Sequence, residues 1–250
     1  PVMIIRESIG ALLALITVTA IAQSKTDYPI QPVAFTQVQV MDNFWAPKIK
    51  VNADVTIPYT LEQCRKTGRI DNFLVAAGKK TSDKLTEYTF DDTDLYKIIE
   101  GASYGLQVTK NPQLESYLDT LIAIIGDAQE QDGYLYTFRS AKMQKPHDWV
   151  GSKRWEKEED LSHELYNSGH LFESAVAHYQ ATGKRSLLNI AIKNADLLVK
   201  TFGYGKEEKF PGHQIIETGL TKLYRVTGKK EYLDLAKFFL DLRGTAGHLN

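Results

Sequence analysis

Three of the six histidines fall within residues 161–180, LSHELYNSGHLFESAVAHYQ. His163 and His170 lie seven residues apart with Asn167 between them, so on an α-helix all three share one stripe. Ser174 and Ala177 continue it at steps of four and three. A solvent-facing stripe usually holds Lys, Glu and Arg, whereas this one is uncharged and made of compact, mostly hydrogen-bonding groups. Leu165, Phe172, Val176 and Tyr179 form an apolar stripe beside it. The pattern is that of a polar pocket wall. The competing reading is a helix whose histidines are satisfied by their neighbours.

His213 opens a later helical stretch as His163 opens the earlier one, 50 residues on. Glu217 follows at i+4, within hydrogen-bonding reach on one helical face, where it could fix the imidazole tautomer. The alternative is a local cap formed at Gly212-His213. His163-Glu164 and His170 do not make a zinc-protease signature, which needs histidines at i and i+4. Asp91, Asp92 and Asp94 could be paired catalytic carboxylates, but acids before a helix more often serve its N-terminus. Gln131-Asp-Gly-Tyr-Leu135 reads as a turn placing Asp132 and Tyr134 on the histidine rim. The sequence has no phosphate loop, dinucleotide fingerprint or nucleophile elbow.

The elements that must position these groups are helices. Apolar spacing predicts them at about 48–67, 93–108, 112–130, 161–181, 185–202, 212–226 and 230–243, with 69–80 a loop and 132–160 a long polar insertion. Tyr179-Gln-Ala-Thr-Gly-Lys184 returns 45 residues later as Tyr224-Arg-Val-Thr-Gly-Lys229, and Leu106-Gln-Val-Thr109 begins a degenerate copy. Each copy joins two apolar helices, so the unit is a helical hairpin. Such hairpins stack as an open solenoid or close into an α/α toroid. Loose repeats, unequal loops and polar residues gathered at one helix end favour the toroid.

Composition narrows the partners. The chain has 250 residues, 43% hydrophobic and 24% charged, with net charge −1, enough for one large core. Near-neutral charge and the lack of a basic cluster argue against nucleic acid and anionic membranes. Arg6, the apolar run from Ile9 to Ala22 and the Ala20-Ile21-Ala22 end predict a secretory signal peptide over 1–23. The run is short for a membrane anchor, which needs about 20 apolar residues. Secretion or export to a periplasm follows, with no membrane association after cleavage. Cys64, the single cysteine, offers no intrachain disulfide. Residues 24–47 read as an extended lead-in with a possible short strand, and 48–250 as part of a larger catalytic domain whose chain continues past Asn250.

The motifs occur together in an order that resembles the N-terminal half of the β-L-arabinofuranosidase family, glycoside hydrolase family 127. They are Asp94-Leu-Tyr-Lys-Ile-Ile-Glu100, Gln131-Asp-Gly-Tyr-Leu135, His163-Glu-Leu-Tyr-Asn-Ser-Gly-His170, Pro211-Gly-His-Gln-Ile-Ile-Glu217, Tyr224-Arg-Val-Thr-Gly228 and Asp241-Leu-Arg-Gly244. The resemblance spans about residues 33 to 244. It implies an all-α fold of the (α/α)6 barrel type, present here as an incomplete N-terminal portion. It also implies retaining hydrolysis of terminal L-arabinofuranose from plant glycans, so the expected partner is a carbohydrate.

In that family the nucleophile is a zinc-activated cysteine and a separate glutamate is the acid/base. Zinc is therefore expected in the full-length protein, with its ligands and both catalytic groups downstream of Asn250 and none in this chain. The resemblance carries His163 and His213 over as furanose-binding residues, and His170 and Asn72 more loosely. Neutral imidazole suits sugar hydroxyls because it offers one donor and one acceptor. The alternatives are another α/α-toroid sugar enzyme (an epimerase or an unsaturated-uronide hydrolase) or a non-catalytic helical-repeat binding module.

Overall fold

The computed structural model describes residues 29–245. The expected signal peptide lies outside the described residues. The chain divides into two units, residues 1–35 and 36–250, and the helices belong to the second. They are α1 (Trp45–Val51), α2 (Ile57–Lys66), α3 (Arg69–Ala76), α4 (Asp92–Val108), α5 (Pro112–Ala128), α6 (Thr137–Ser140), α7 (Glu164–Thr182), α8 (Ser186–Thr201), α9 (Ile216–Thr227) and α10 (Lys230–Arg243). Among the described residues there is no strand, only an isolated bridge between Phe202 and Glu207.

The helices form two layers of an α/α toroid. α2, α4, α7 and α9 pack in sequence as the inner layer, and α3, α5, α8 and α10 as the outer layer. Each inner helix is followed by its outer partner, so the units are the hairpins α2–α3, α4–α5, α7–α8 and α9–α10. Inner helices therefore all begin at one end of the array. α7 is buried on nearly every side because α4, α8 and α9 flank it. Its fully enclosed Leu165, Phe172 and Ala175 join one continuous core with Leu95 and Ile99 of α4 and Leu220 of α9.

Several boundaries differ from the sequence-based expectation. The first helix starts at Trp45, inside the expected lead-in, because Asp42 accepts hydrogen bonds from the Phe44 and Trp45 amides. It runs into α2 through a π-helical segment, Asn52–Thr56. The expected loop at 69–80 contains α3. This helix has only eight residues, too few to reveal a period, and rests on tertiary burial of Ile70 and of Phe73, which meets Tyr96 edge-on at 5.8 Å. α9 begins at Ile216, four residues later than expected, because Ile215 has φ 130°.

The repeated hairpin turn has a definite mechanism. Gly183 and Gly228 end α7 and α9 in the left-handed region, at φ 74° and 73°. Thr182 and Thr227 each bond back to the carbonyl four residues earlier and accept the amide of the following lysine. That lysine then reaches the preceding outer helix. Lys184 pairs with Glu115 and Asp119 on α5, and Lys229 with Asp196 on α8. One local motif thus closes a hairpin and staples it to its neighbour.

Candidate functional site

His163 precedes α7 in a left-handed conformation, φ 60°, that is uncommon for a residue with a side chain. The loop around it is held by buried carboxyls. Glu164 accepts from Tyr134 Oη at 2.5 Å, from the Trp155 amide at 3.0 Å and from Ser162 Oγ at 2.8 Å. Glu158 accepts from the Leu165 amide at 3.1 Å and lies 3.2 Å from Ser162 Oγ. Burial raises both carboxyls, Glu158 well above the usual range, with the neighbouring Glu164 charge adding to it. Asn167 donates from Nδ2 to the carbonyls of His163 (2.9 Å) and Thr89 (3.1 Å), fastening the loop to the chain before α4.

The His213 loop is tied to the same place. The Gly212 amide donates to Glu158 O at 3.0 Å, and a Cβ on Gly212 would lie 2.6 Å from that oxygen. Arg243 donates to Pro211 O at 2.5 Å and lies 3.5 Å from Glu217. The expected His213–Glu217 hydrogen bond is not formed. The Glu217 carboxylate accepts the Ile215 amide at 3.2 Å, while His213 Nδ1 lies 2.9 Å from Gln214 O. Glu217 belongs to the first turn of α9 and His213 precedes the helix, so the two share no helical face.

Close approach of α7 and α9 brings the loops together. A Cβ on Gly219 would sit 2.7 Å from Gly169 O, and one on Gly169 would sit 2.7 Å from the Ile216 amide nitrogen. Only glycine permits that contact. The His163 and His213 rings end 6.3 Å apart. Tyr166 lies among the imidazoles, with ring centroids 5.7 Å from His163, 4.7 Å from His170 and 4.6 Å from His213. Lys97 of α4 donates to Tyr166 Oη at 2.9 Å, and Phe90 meets His163 edge-on at 5.1 Å.

The structure thus gathers His163, His170 and His213 at the N-terminal end of the inner helices. His213 is exposed, and the other two are partly buried. Burial, then the Lys97 and His213 charges, lower His170 to about 4, so it is neutral near pH 7. Its buried Nδ1 has no protein partner. The cluster thus sets a neutral His170 beside the rings of Tyr166, His163 and His213. Asn72 is placed differently, with its amide bonded to Thr86 through Oγ1 (2.6 Å) and the backbone N (3.2 Å). Sequence reasoning missed Tyr166, although its spacing of three from His163 and four from His170 puts it on their helical face. Lys97 carried no such signal.

The acidic cluster at the start of α4 is structural. Asp92 is fully buried and accepts both the Thr137 amide (2.9 Å) and Thr137 Oγ1 (2.6 Å), while Asp91 and Asp94 flank Arg69. Burial pushes the Asp92 carboxyl up to about 7, yet no substrate can reach it. Tyr134, expected on the histidine rim, is buried with its hydroxyl against Glu164, and Asp132 pairs with Arg154. Among the described residues no group of three or more His, Cys, Asp or Glu side chains could hold a metal ion, and no helix is long and apolar enough to cross a membrane.

Residues 37–248 match the family model described as the β-L-arabinofuranosidase, GH127 catalytic domain. A non-reducing end β-L-arabinofuranosidase of Bifidobacterium longum subsp. longum is 39% identical over 181 residues, 72% of this chain and 27% of that protein. The solved structure of a GH127 β-arabinofuranosidase is 52% identical with TM-score 0.84, covering 88% of this chain and 35% of the other. That of a GH127 β-L-arabinofuranosidase from Geobacillus stearothermophilus T6 is 38% identical with TM-score 0.78, covering 84% and 33%. The chain therefore spans about a third of the length of the relatives it matches.

Proposed function

We propose, for a chain that belongs to the GH127 β-L-arabinofuranosidase family, that the intact protein is an exported retaining glycosidase releasing terminal L-arabinofuranose from plant glycans. The histidine cluster is then part of the pocket that holds the furanose. The observation that carries this reading is the convergence of three imidazoles on Tyr166 at one end of the inner helices. A neutral imidazole exchanges hydrogen bonds with hydroxyls without adding charge, and rigid, packed helices keep several such groups in register.

The residues present do not fit the zinc-activated nucleophile of the family. Cys64 is buried and its thiol is pushed up to about 11, mainly by burial, the opposite of an activated thiolate. The nucleophile, the acid/base and the zinc ligands accordingly belong, in this reading, to parts of the enzyme other than these residues. What this chain supplies is binding and orientation of the sugar.

His163→Ala and His213→Ala in the intact enzyme test the reading, with release of L-arabinose from a β-L-arabinofuranoside as the assay. Each substitution leaves a substrate hydroxyl unpaired at a cost of about 1–3 kcal/mol, or roughly 5- to 150-fold in kcat/KM. Fold and any bound zinc should be unaffected. Wild-type rates in both variants would remove the histidines from the pocket.

A further inference from the structure

We propose that Tyr88, Phe90 and Trp149 form a stacking platform for the sugar unit joined to the terminal furanose. The inference rests on the reading of the histidine cluster as the furanose pocket. The rings lead away from that cluster in one unbroken series. Phe90 touches His163 edge-on at 5.1 Å, Tyr88 stacks on Phe90 at 5.2 Å and 9°, and Trp149 lies 6.3 Å from Tyr88.

Core packing does not account for them. Tyr134, Tyr136 and Phe138 make a buried aromatic cluster of their own, whereas Tyr88 is 39% exposed and Phe90 and Trp149 are only partly buried. Both ends of the series are fixed in advance. The Trp149 amide donates to His147 Nδ1 at 3.1 Å, and the His147 ring stands edge-on to Trp149 and to the buried Phe138. Lys157 donates to Asp148 O at 2.5 Å. The Tyr88 amide donates to Asp91 Oδ2 at 3.3 Å, and Asp91 is held in turn by Arg69.

Rigid aromatic rings lose little freedom on binding and offer large apolar faces with a negative quadrupole. The C–H face of a sugar ring, with its slightly positive hydrogens, complements such a face. An exo-acting enzyme with its terminal sugar at His163 needs a surface next to the pocket for the following unit. The platform occupies that position, so the ligand class is a neutral oligosaccharide.

Two substrates separate platform from pocket in the intact enzyme. Methyl β-L-arabinofuranoside fills the pocket alone, and a β-L-arabinofuranosyl oligosaccharide also reaches the platform. Tyr88→Ala and Trp149→Ala should each lower kcat/KM on the oligosaccharide about tenfold more than on the methyl glycoside, with Trp149→Phe restoring most of the difference. Equal losses on both substrates, or none on either, would overturn the platform. Tyr88→Ala changes an exposed side chain and keeps the test open if Trp149→Ala fails to fold. Tryptophan fluorescence titrated with the oligosaccharide reads binding apart from hydrolysis. Should the wild type hydrolyse no arabinofuranoside yet bind the oligosaccharide in a Tyr88-dependent way, the glycosidase reading fails and the platform stands. Binding indifferent to Tyr88 removes the platform.

Discussion

Asp92→Asn probes how the rim beneath the histidines is built. The carboxyl is fully buried, with one oxygen accepting the Thr137 amide and the other meeting Thr137 Oγ1. Burial raises it to about 7 from an ordinary 3.8, outweighing the Thr137 hydrogen bonds that favour ionisation. The folded protein thus keeps a proton that the unfolded chain releases near pH 4. Stability from this group is fully present below pH 3.8 and is lost as pH rises through about 7. The interval of about three in pH corresponds to at most about 4 kcal/mol. Asparagine reproduces the protonated acid, with Oδ1 accepting the Thr137 amide and Nδ2 donating to Thr137 Oγ1, and it does not titrate. Urea unfolding from pH 4 to 8 should show the variant gaining on wild type by about 2–4 kcal/mol across the range. Glu158 and Glu164, also raised by burial, are present in both proteins and cancel in the difference. A difference that stays constant with pH would mean that Asp92 ionises as in water and that its burial is wrong.

The other predictions follow from single contacts. Gly219→Ala places a methyl 2.7 Å from Gly169 O and should cost about 1–3 kcal/mol in urea unfolding, so an unchanged midpoint would deny the close α7–α9 approach. The His170 ring should keep constant NMR shifts from pH 8 to 5.5 and protonate near 4, and a midpoint at an ordinary histidine value would show it to be solvated. Cys64, with its thiol at about 11, should resist a thiol reagent at pH 8 until the protein unfolds, and rapid labelling of the folded protein would contradict its burial.

What the sequence disclosed is what short spacings encode. The Tyr-x-x-Thr-Gly-Lys turns were legible because the left-handed glycine and the threonine back-bond are local events within six residues. α7 was legible because nineteen residues give a clear period. α3 was not, since eight residues beginning just after Gly68 look like a loop until Phe73 finds Tyr96 across the fold. The Asp92–Thr137 contact joins residues 45 apart, and no rule of spacing predicts it.

The two histidines show where local reading stops. His163 and His213 were expected at the starts of successive inner stretches, and the structure puts both at that end, 6.3 Å apart. Helix periodicity alone does not place them so close, because both precede their helices, His163 in the left-handed region and His213 before the break at Ile215. Their distance is set by two other features. Gly169 and Gly219 let α7 and α9 touch backbone to backbone, and the Gly212–Glu158 hydrogen bond locks one loop onto the other. Each glycine is unremarkable in the sequence and becomes necessary only when its partner helix is known. A pocket assembled this way tolerates little change in the helices behind it. Gly219→Ala should therefore disturb the proposed furanose pocket as well as stability, read as a weaker kcat/KM of the intact enzyme on a β-L-arabinofuranoside.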